Sequence, residues 1–226
     1  MSPNKEDYLK NIFELQHSFQ KVTNKRLATM MQVSAPSVTE MLVNLARNGY
    51  IKHTPYNAIE LTTSGQKLAE KLVKKHRIWE VFLTNNLHYT INNVHQTADS
   101  LEHATDDQLL EALNAFLHYP QKCPHGAIIP GNGQGETDDD DLILSQVESN
   151  VWVTIVRIFD NREFLDYFCK LKLNLDQKLL VVQHLPFDDS LIVRTENGRE
   201  ITLSQKTADF IFVEKINRNS TSENSQ

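Results

Sequence analysis

Residues 130–141 read PGNGQGETDDDD, a run of Pro, Gly and acid that separates two stretches of different hydrophobic period. Before it, apolar residues recur at helical spacing; after it, they fall into short alternating runs bounded by turn residues. A Gly-rich segment of like charge buries little and reads as a linker. The chain is therefore expected to be mainly α, with an α+β C-terminal part. At 226 residues it allows one to two domains, each able to bury its own core.

The N-terminal stretch predicts three helices and a hairpin. Tyr8, Ile12, Phe13, Leu15 and Phe19 mark an amphipathic first helix, and Thr23 caps a short second one carrying Leu27, Met30 and Met31. After a turn at Val33 and Ser34, a third helix starts from Ser34 with Pro36 in its first turn. It buries Val38, Met41, Leu42 and Leu45, and stops at Asn48 and Gly49. Tyr50 to Thr54 and Ala58 to Thr62 then alternate as strands about Pro55, Tyr56 and Asn57. This is the pattern of a winged helix-turn-helix over residues 1–63.

Residues 64–130 read as helical, with helices at about Thr63 to Asn86, Ile91 to Ala104 and Asp106 to Leu117. The apolar stripe Leu72, Ile78, Trp79, Val81, Phe82 and Leu83 is expected to serve a subunit interface, hence a homodimer. Residues 131–141 are the linker. Over 142–217, strands are expected at Trp152 to Phe159, Lys178 to Gln183, Ser190 to Thr195, Glu200 to Ser204 and Phe210 to Ile216. A helix from Arg162 to Leu171 interrupts them and Asn197-Gly198 forms a hairpin turn, which suggests a small SH3-like β-barrel. The polar tail, 218–226, is expected to be disordered.

Charge is unevenly placed. Residues 1–75 carry eleven Lys/Arg against six Asp/Glu, whereas the whole chain has a formal charge of −6. A basic head on an acidic body fits DNA binding confined to the N-terminal module. Two cysteines, Cys123 and Cys169, are too few for a disulfide framework and fit a reducing compartment. Cys169, among Phe164, Leu165, Phe168 and Leu171, is expected in the core. No secretory pattern and no membrane-length apolar run is present, so a cytoplasmic, soluble protein with no membrane partner is expected.

In a winged helix-turn-helix the start of the third helix enters the major groove. Ser34, Pro36, Ser37, Thr39, Glu40 and Asn44 are then the positions nearest the bases. Lys25, Arg26, Arg47, Lys52 and His53 are placed for phosphates, which supply affinity and register rather than sequence discrimination.

His95, Asp99, Glu102 and His103 fall at i, i+4, i+7 and i+8 of one expected helix, gathering four potential ligands within roughly a 100° arc. The preceding helix adds His76 and Glu80 at i, i+4. Imidazoles and carboxylates on adjoining helices suit a divalent first-row metal. The run Asp138 to Asp141 is expected to be solvated rather than ligating. His17, His53, His88, His118 and His184 lack an acid at ligand spacing and are expected to be surface or packing residues.

The segments VSAPSVTEMLVNLARNGYI, LTTSGQKLAEKLVKKHRIWEVFL, VHQTADSLEHATDD and CPHGAIIPG resemble the diphtheria-toxin-repressor family, and within it the manganese-responsive transport regulators of Gram-positive bacteria. The resemblance runs from about Lys5 to Ile216 and implies a FeoA-type terminal domain. It implies one metal site from Asp7, His76, Asp99, Glu102 and His103, and a second from Glu80, Cys123, His125 and Asp160. His95 matches an ancillary-site histidine of iron-responsive relatives, whose place His125 takes here. Where those relatives carry Met and Cys this chain has Asp7 and Asp99, and harder oxygen ligands favour Mn²⁺. Two positions depart from the pattern: Lys10 stands where some manganese regulators supply another carboxylate, and the Cys123 thiolate would also suit Fe²⁺ or Zn²⁺.

The resemblance thus implies a dimeric, Mn²⁺-dependent repressor of metal-uptake genes that binds palindromic double-stranded operators. An Fe²⁺-dependent repressor of the same family is the nearest alternative. A helix-bundle metalloenzyme would leave the reading helix unexplained, and a metal-independent winged-helix regulator would leave the ligand helices unexplained.

Overall fold

The computed structural model describes residues 3–17, 21–52, 58–133 and 141–216. The chain divides into two compact units. The first comprises Met1–Tyr89, Gln96–Cys123 and Ile128–Asp139, and the second Thr90–His95, Pro124–Ala127 and Asp140–Gln226. The expected wing tip at Pro55 to Asn57, His53, Phe19, most of the linker and the tail lie outside the described residues.

In the first unit, α1 (Pro3–His17), α2 (Asn24–Met31) and α3 (Ala35–Arg47) precede the two-stranded wing of β1 (Ile51–Lys52) and β2 (Glu60–Leu61). Thr23 caps α2 by accepting from the Arg26 amide, and Ser34 caps α3 by accepting from the Ser37 amide, with Pro36 in the first turn. Val38, Leu42 and Leu45 are fully buried on α3, one helical face apart from the polar residues. The helix ends where Gly49 adopts φ +75°, its amide bonded to Ala46 and the Tyr50 amide to Leu45, both through carbonyls. That six-to-one closure needs a residue that tolerates the left-handed region. The wing pairs Ile51 with Leu61 and Lys52 with Glu60.

The 25-residue α4 (Thr63–Leu87) starts from a Thr62 cap and carries Gly65 against the wing, where a Cβ would lie 1.9 Å from the Tyr50 carbonyl oxygen. That close approach seats α4 on the DNA-binding fold. Ala69 and Val73 of α4 join Leu9, Ile12, Leu27, Leu42 and Ile59 in one core. Arg77, 4 % exposed, bonds Glu14 of α1 at 2.9 Å and the Ile128 carbonyl. Two shorter helices follow, α5 (Val94–Glu102) and α6 (Asp107–Phe116), the latter capped by Asp106.

The apolar stripe expected at a subunit interface is largely consumed inside the chain. Leu72, Ile78, Val81 and Leu83 are buried, and Trp79 and Phe82 half-buried, because the long helix has packing partners on more than one side. The apolar residues left outward are others: Leu87, Leu109, Phe116 and Tyr119.

Among the described residues the second unit holds an antiparallel sheet of six strands, two α-helices and a short 3-10 turn at Leu144–Gln146. In chain order the strands and α-helices are β3 (Leu142–Ile143), β4 (Val151–Ile158), α7 (Arg162–Lys170), β5 (Lys178–Leu185), β6 (Ser190–Thr195), β7 (Glu200–Leu203), α8 (Gln205–Ala208) and β8 (Ile211–Lys215). The spatial order is β3-β8-β4-β5-β6-β7. Among the described residues no ladder joins β3 to β7, so the sheet is open and the expected SH3-like barrel is not formed. The reason is visible in the core: α7 lays Phe164, Leu165 and Phe168 on Val153, Ile155, Leu179, Val193 and Val213. A helix covers the apolar face, and sheet closure is not needed to bury it. Bulges at Ile155/Arg157 and Val181/Gln183 bend the strands. Cys169 lies on the outer side of α7 and is exposed rather than in the core, since the inward positions are taken by Phe164, Leu165 and Phe168.

Candidate metal centre

The site in the first unit is built from three helices. On α1, Glu6, Asp7 and Lys10 occupy i, i+1 and i+4, which places them on one side of the helix. On α4, His76 and Glu80 share a face. From α5, Asp99 and Glu102 project one turn apart, and His103 follows the last helical residue.

Glu102 is the hub and is 1 % exposed. One of its oxygens, Oε2, accepts from His76 Nδ1 at 2.5 Å, and the other, Oε1, from Lys10 Nζ at 2.6 Å. Lys10 Nζ also meets Asp99 Oδ1 at 2.5 Å, and His76 Nε2 lies 3.2 Å from Glu80 Oε1. Burial alone would raise the Glu102 carboxyl, but the adjacent His76 and Lys10 outweigh it and hold it below its ordinary value. Burial likewise disfavours the Lys10 ammonium, yet the Glu102 and Asp99 charges hold it above the usual lysine range.

His103 spans α1 and α5. Its Nδ1 bonds Glu6 Oε2 at 2.8 Å, while Nε2 faces Asp7 Oδ1 at 3.0 Å and Glu102 Oε1 at 3.8 Å. With the Nδ1 proton committed to Glu6, Nε2 and the Asp7 oxygen can approach each other only through a second proton or a metal ion. Burial pushes the Asp7 carboxyl above its ordinary value; Lys10 pulls it down, and Asp99 pushes it up again.

Asp7, Glu102 and His103 offer ligand atoms within 4.8 Å of one another, as do His76, Asp99 and Glu102. One nitrogen and two carboxylates of mixed hardness fit a divalent first-row ion. The five residues expected in the first site thus fall into two triads that share Glu102. Of the second expected set, Glu80 and Cys123 belong to the first unit and His125 and Asp160 to the second. Within that second unit, Asp160 bonds His95 Nδ1 at 2.6 Å, and His125 Nε2 lies 3.0 Å from the Ile91 carbonyl oxygen.

Glu6 was not among the residues singled out by pattern. Helical spacing on α1 does not single it out as a partner of a residue on α5, and only the path of α1 past α5 brings it to His103. The buried role of Lys10 was equally hidden, since lysine at a helix surface is ordinarily solvated.

On the DNA-binding fold, Ser34, Pro36, Ser37, Thr39, Glu40, Asn44 and Arg47 are all exposed on α3, as are Lys25, Arg26 and Lys52 beside it. Thr39 is held by Asn24 Nδ2 at 3.0 Å, which ties the outward side of α3 to α2.

A winged helix-turn-helix joined to helix-borne carboxylates and imidazoles defines a metal-dependent transcriptional regulator. Residues 1–59 match the iron-dependent repressor N-terminal DNA-binding domain, 62–131 the iron-dependent repressor metal-binding and dimerisation domain, and 143–215 the FeoA domain. The chain is 36 % identical to the manganese regulator SloR, with a TM-score of 0.85 covering 96 % of this chain and 100 % of that one. It is 35 % identical to a manganese-dependent transcriptional repressor solved in complex with manganese, at a TM-score of 0.83 and covering 94 % and 100 %. The diphtheria toxin repressor of Corynebacterium glutamicum is 26 % identical over 222 residues, covering 93 % of this chain and 96 % of the relative. The chain belongs to the iron-dependent repressor family of which the diphtheria toxin repressor is a member. It is a metal-dependent transcriptional repressor, not an enzyme, and most closely matches the manganese-responsive regulators. Its cofactor is a divalent metal ion. Among the described residues no helix is long and apolar enough to cross a membrane.

Proposed function

We propose that the physiological effector is Mn²⁺ and that it acts at the centre formed by Asp7, His76, Asp99, Glu102 and His103. The observation that carries this reading is the convergence of Asp7, from α1 of the DNA-binding fold, with Glu102 and His103, from the end of α5, within 4.8 Å. The metal would supply positive charge shared between the two helices. The chain's own residues do the rest: Glu6 orients the His103 ring, His76 and Lys10 hold Glu102 ionised, and Arg77 keeps α1 on α4.

An ion held by both α1 and α5 stabilises whichever arrangement of the reading helix has the two helices together. It shifts affinity for DNA only by its preference for that arrangement. Two copies of the chain, meeting through the outward apolar residues of α4 and α6, would bind the two halves of a palindrome. The genes so controlled would be those of metal uptake. Mn²⁺ is favoured over Fe²⁺ because four of the six groups in this centre and its rim, Glu6, Asp7, Asp99 and Glu102, are hard oxygen donors.

The test is equilibrium binding of the full chain to a candidate palindromic operator, with Mn²⁺, anaerobic Fe²⁺, Zn²⁺ or no metal. Binding that tightens with Mn²⁺ at the lowest free-ion concentration agrees with this function. Binding that responds to Fe²⁺ alone reassigns the effector, and binding indifferent to every metal removes the proposal.

A further inference from the structure

Two donor clusters adjoin in the first unit and share Glu102: Asp7 with Glu102 and His103, and His76 with Asp99 and Glu102. They are not equivalent. Lys10 takes up Asp99 Oδ1 of the second at 2.5 Å, and at 2.6 Å it also meets Glu102 Oε1, the shared carboxylate's oxygen that faces His103 Nε2. Its side chain is only 9 % exposed, so this is an internal cation and not a surface lysine resting on a neighbour.

We propose that Lys10 is a resident cation that takes the place of a second metal ion, limiting the Asp7 centre to one divalent ion and engaging Asp99 as the partner of the ammonium. The inference rests on the reading of the Asp7, Glu102 and His103 cluster as a metal site.

Like-charge repulsion supports it. A second ion would have to share Asp99 and Glu102 with the ammonium already on them, placing like charges together around a buried Glu102, where screening is reduced even though Asp99 is partly exposed. The arrangement also draws α1 to α5 before any metal arrives, because Lys10 and Asp7 stand on the same side of α1. The ion then completes a contact that is already half made, rather than assembling it from separated helices.

Replacing Lys10 should open the second cluster. In Lys10→Glu the site gains a carboxylate and loses the competing charge; in Lys10→Met it loses the charge with little change of volume. Purified full-length proteins, equilibrated with Mn²⁺ and freed of loose ion by dialysis, are compared by metal analysis and by electron paramagnetic resonance. The parent should show the resolved hyperfine pattern of isolated Mn²⁺. Each Lys10 variant should bind one additional ion per chain. It should also show the broadened signal of two spin-coupled ions, as expected for metals bridged by one carboxylate at about 4 Å.

Asp7→Ala in the parent background separates the two levels of the argument. If Asp7→Ala removes an ion but neither Lys10 variant adds one, the role of Lys10 is refuted and the metal site stands. If Asp7→Ala leaves the bound metal unchanged, the site itself is misassigned and the inference falls with it. Should Lys10→Glu fail to fold, Lys10→Met decides alone: an unchanged stoichiometry with an uncoupled signal overturns the proposal.

Discussion

His103 Nδ1 lies 2.8 Å from Glu6 Oε2, a hydrogen bond from the end of α5 to the first turn of α1. It leaves Nε2 facing Asp7 and Glu102, so with His103 in its proposed role as a ligand Glu6 is a positioning residue for the imidazole. Groups that fix a ligating histidine in this way are worth roughly 10- to 100-fold in metal affinity. Glu6→Ala should weaken Mn²⁺ binding by about that factor, and Glu6→Gln, which still accepts a hydrogen bond, by less. The check is Mn²⁺ titration at fixed pH with competition from a chelator. Equal affinity in parent and Glu6→Ala would reduce the contact to an incidental surface pairing.

The exposed row on α3 is proposed to make two kinds of DNA contact. Arg47→Ala should weaken binding to all sequences alike and reduce the slope of affinity against salt by about one. Ser37→Ala or Thr39→Ala should instead change discrimination between operators, with the salt slope kept. Binding isotherms on matched and mismatched duplexes at several salt concentrations measure both. An unchanged salt slope in Arg47→Ala would remove Arg47 from the phosphate contacts.

Glu102 makes stability of the metal-free protein depend on pH in a defined direction. Its carboxyl is held below the ordinary value of 4.5, with burial opposing and His76 and Lys10 prevailing. The unfolded chain therefore takes up the proton first as pH falls. The stabilisation is fully present above the ordinary value and is lost as pH drops through the lower folded one. Thermal unfolding in the presence of a chelator should show Glu102→Gln less stable than the parent at neutral pH. The difference should close in acid. A gap that persists undiminished at the lowest pH would show that lost packing, rather than charge, explains the variant.

Much of the first unit was legible because its signals are local. Thr23 and Ser34 cap the helices they were expected to cap, and Gly49 ends α3 in the conformation that only such a residue takes easily. The alignment of Asp99 with Glu102 and His103 was legible for the same reason, as helical spacing alone brings them to one side of α5. Glu6 and Lys10 were not, because their partners are 97 and 92 residues away and nothing in their own neighbourhood requires them. The open sheet escaped for a related reason. Alternation predicts strands but does not say whether the last one returns to the first, and here α7 supplies the cover that closure would have provided. His95 shares the face of Asp99 by spacing, yet it pairs with Asp160, since α5 passes between units and its first two residues fall in the second.

Asp7, on α1 of the DNA-binding fold, is the residue proposed to couple the metal to the DNA-reading helix. The most direct measurement is fluorescence anisotropy of a labelled operator with parent and Asp7→Ala proteins, at one salt concentration, with and without saturating Mn²⁺. The parent should bind more tightly with metal by about 5- to 150-fold, the ordinary range of a coupling between sites. Asp7→Ala should retain its folded circular dichroism spectrum and its metal-free affinity for DNA while losing most of that gain. An equal response to Mn²⁺ in the two proteins would contradict the account.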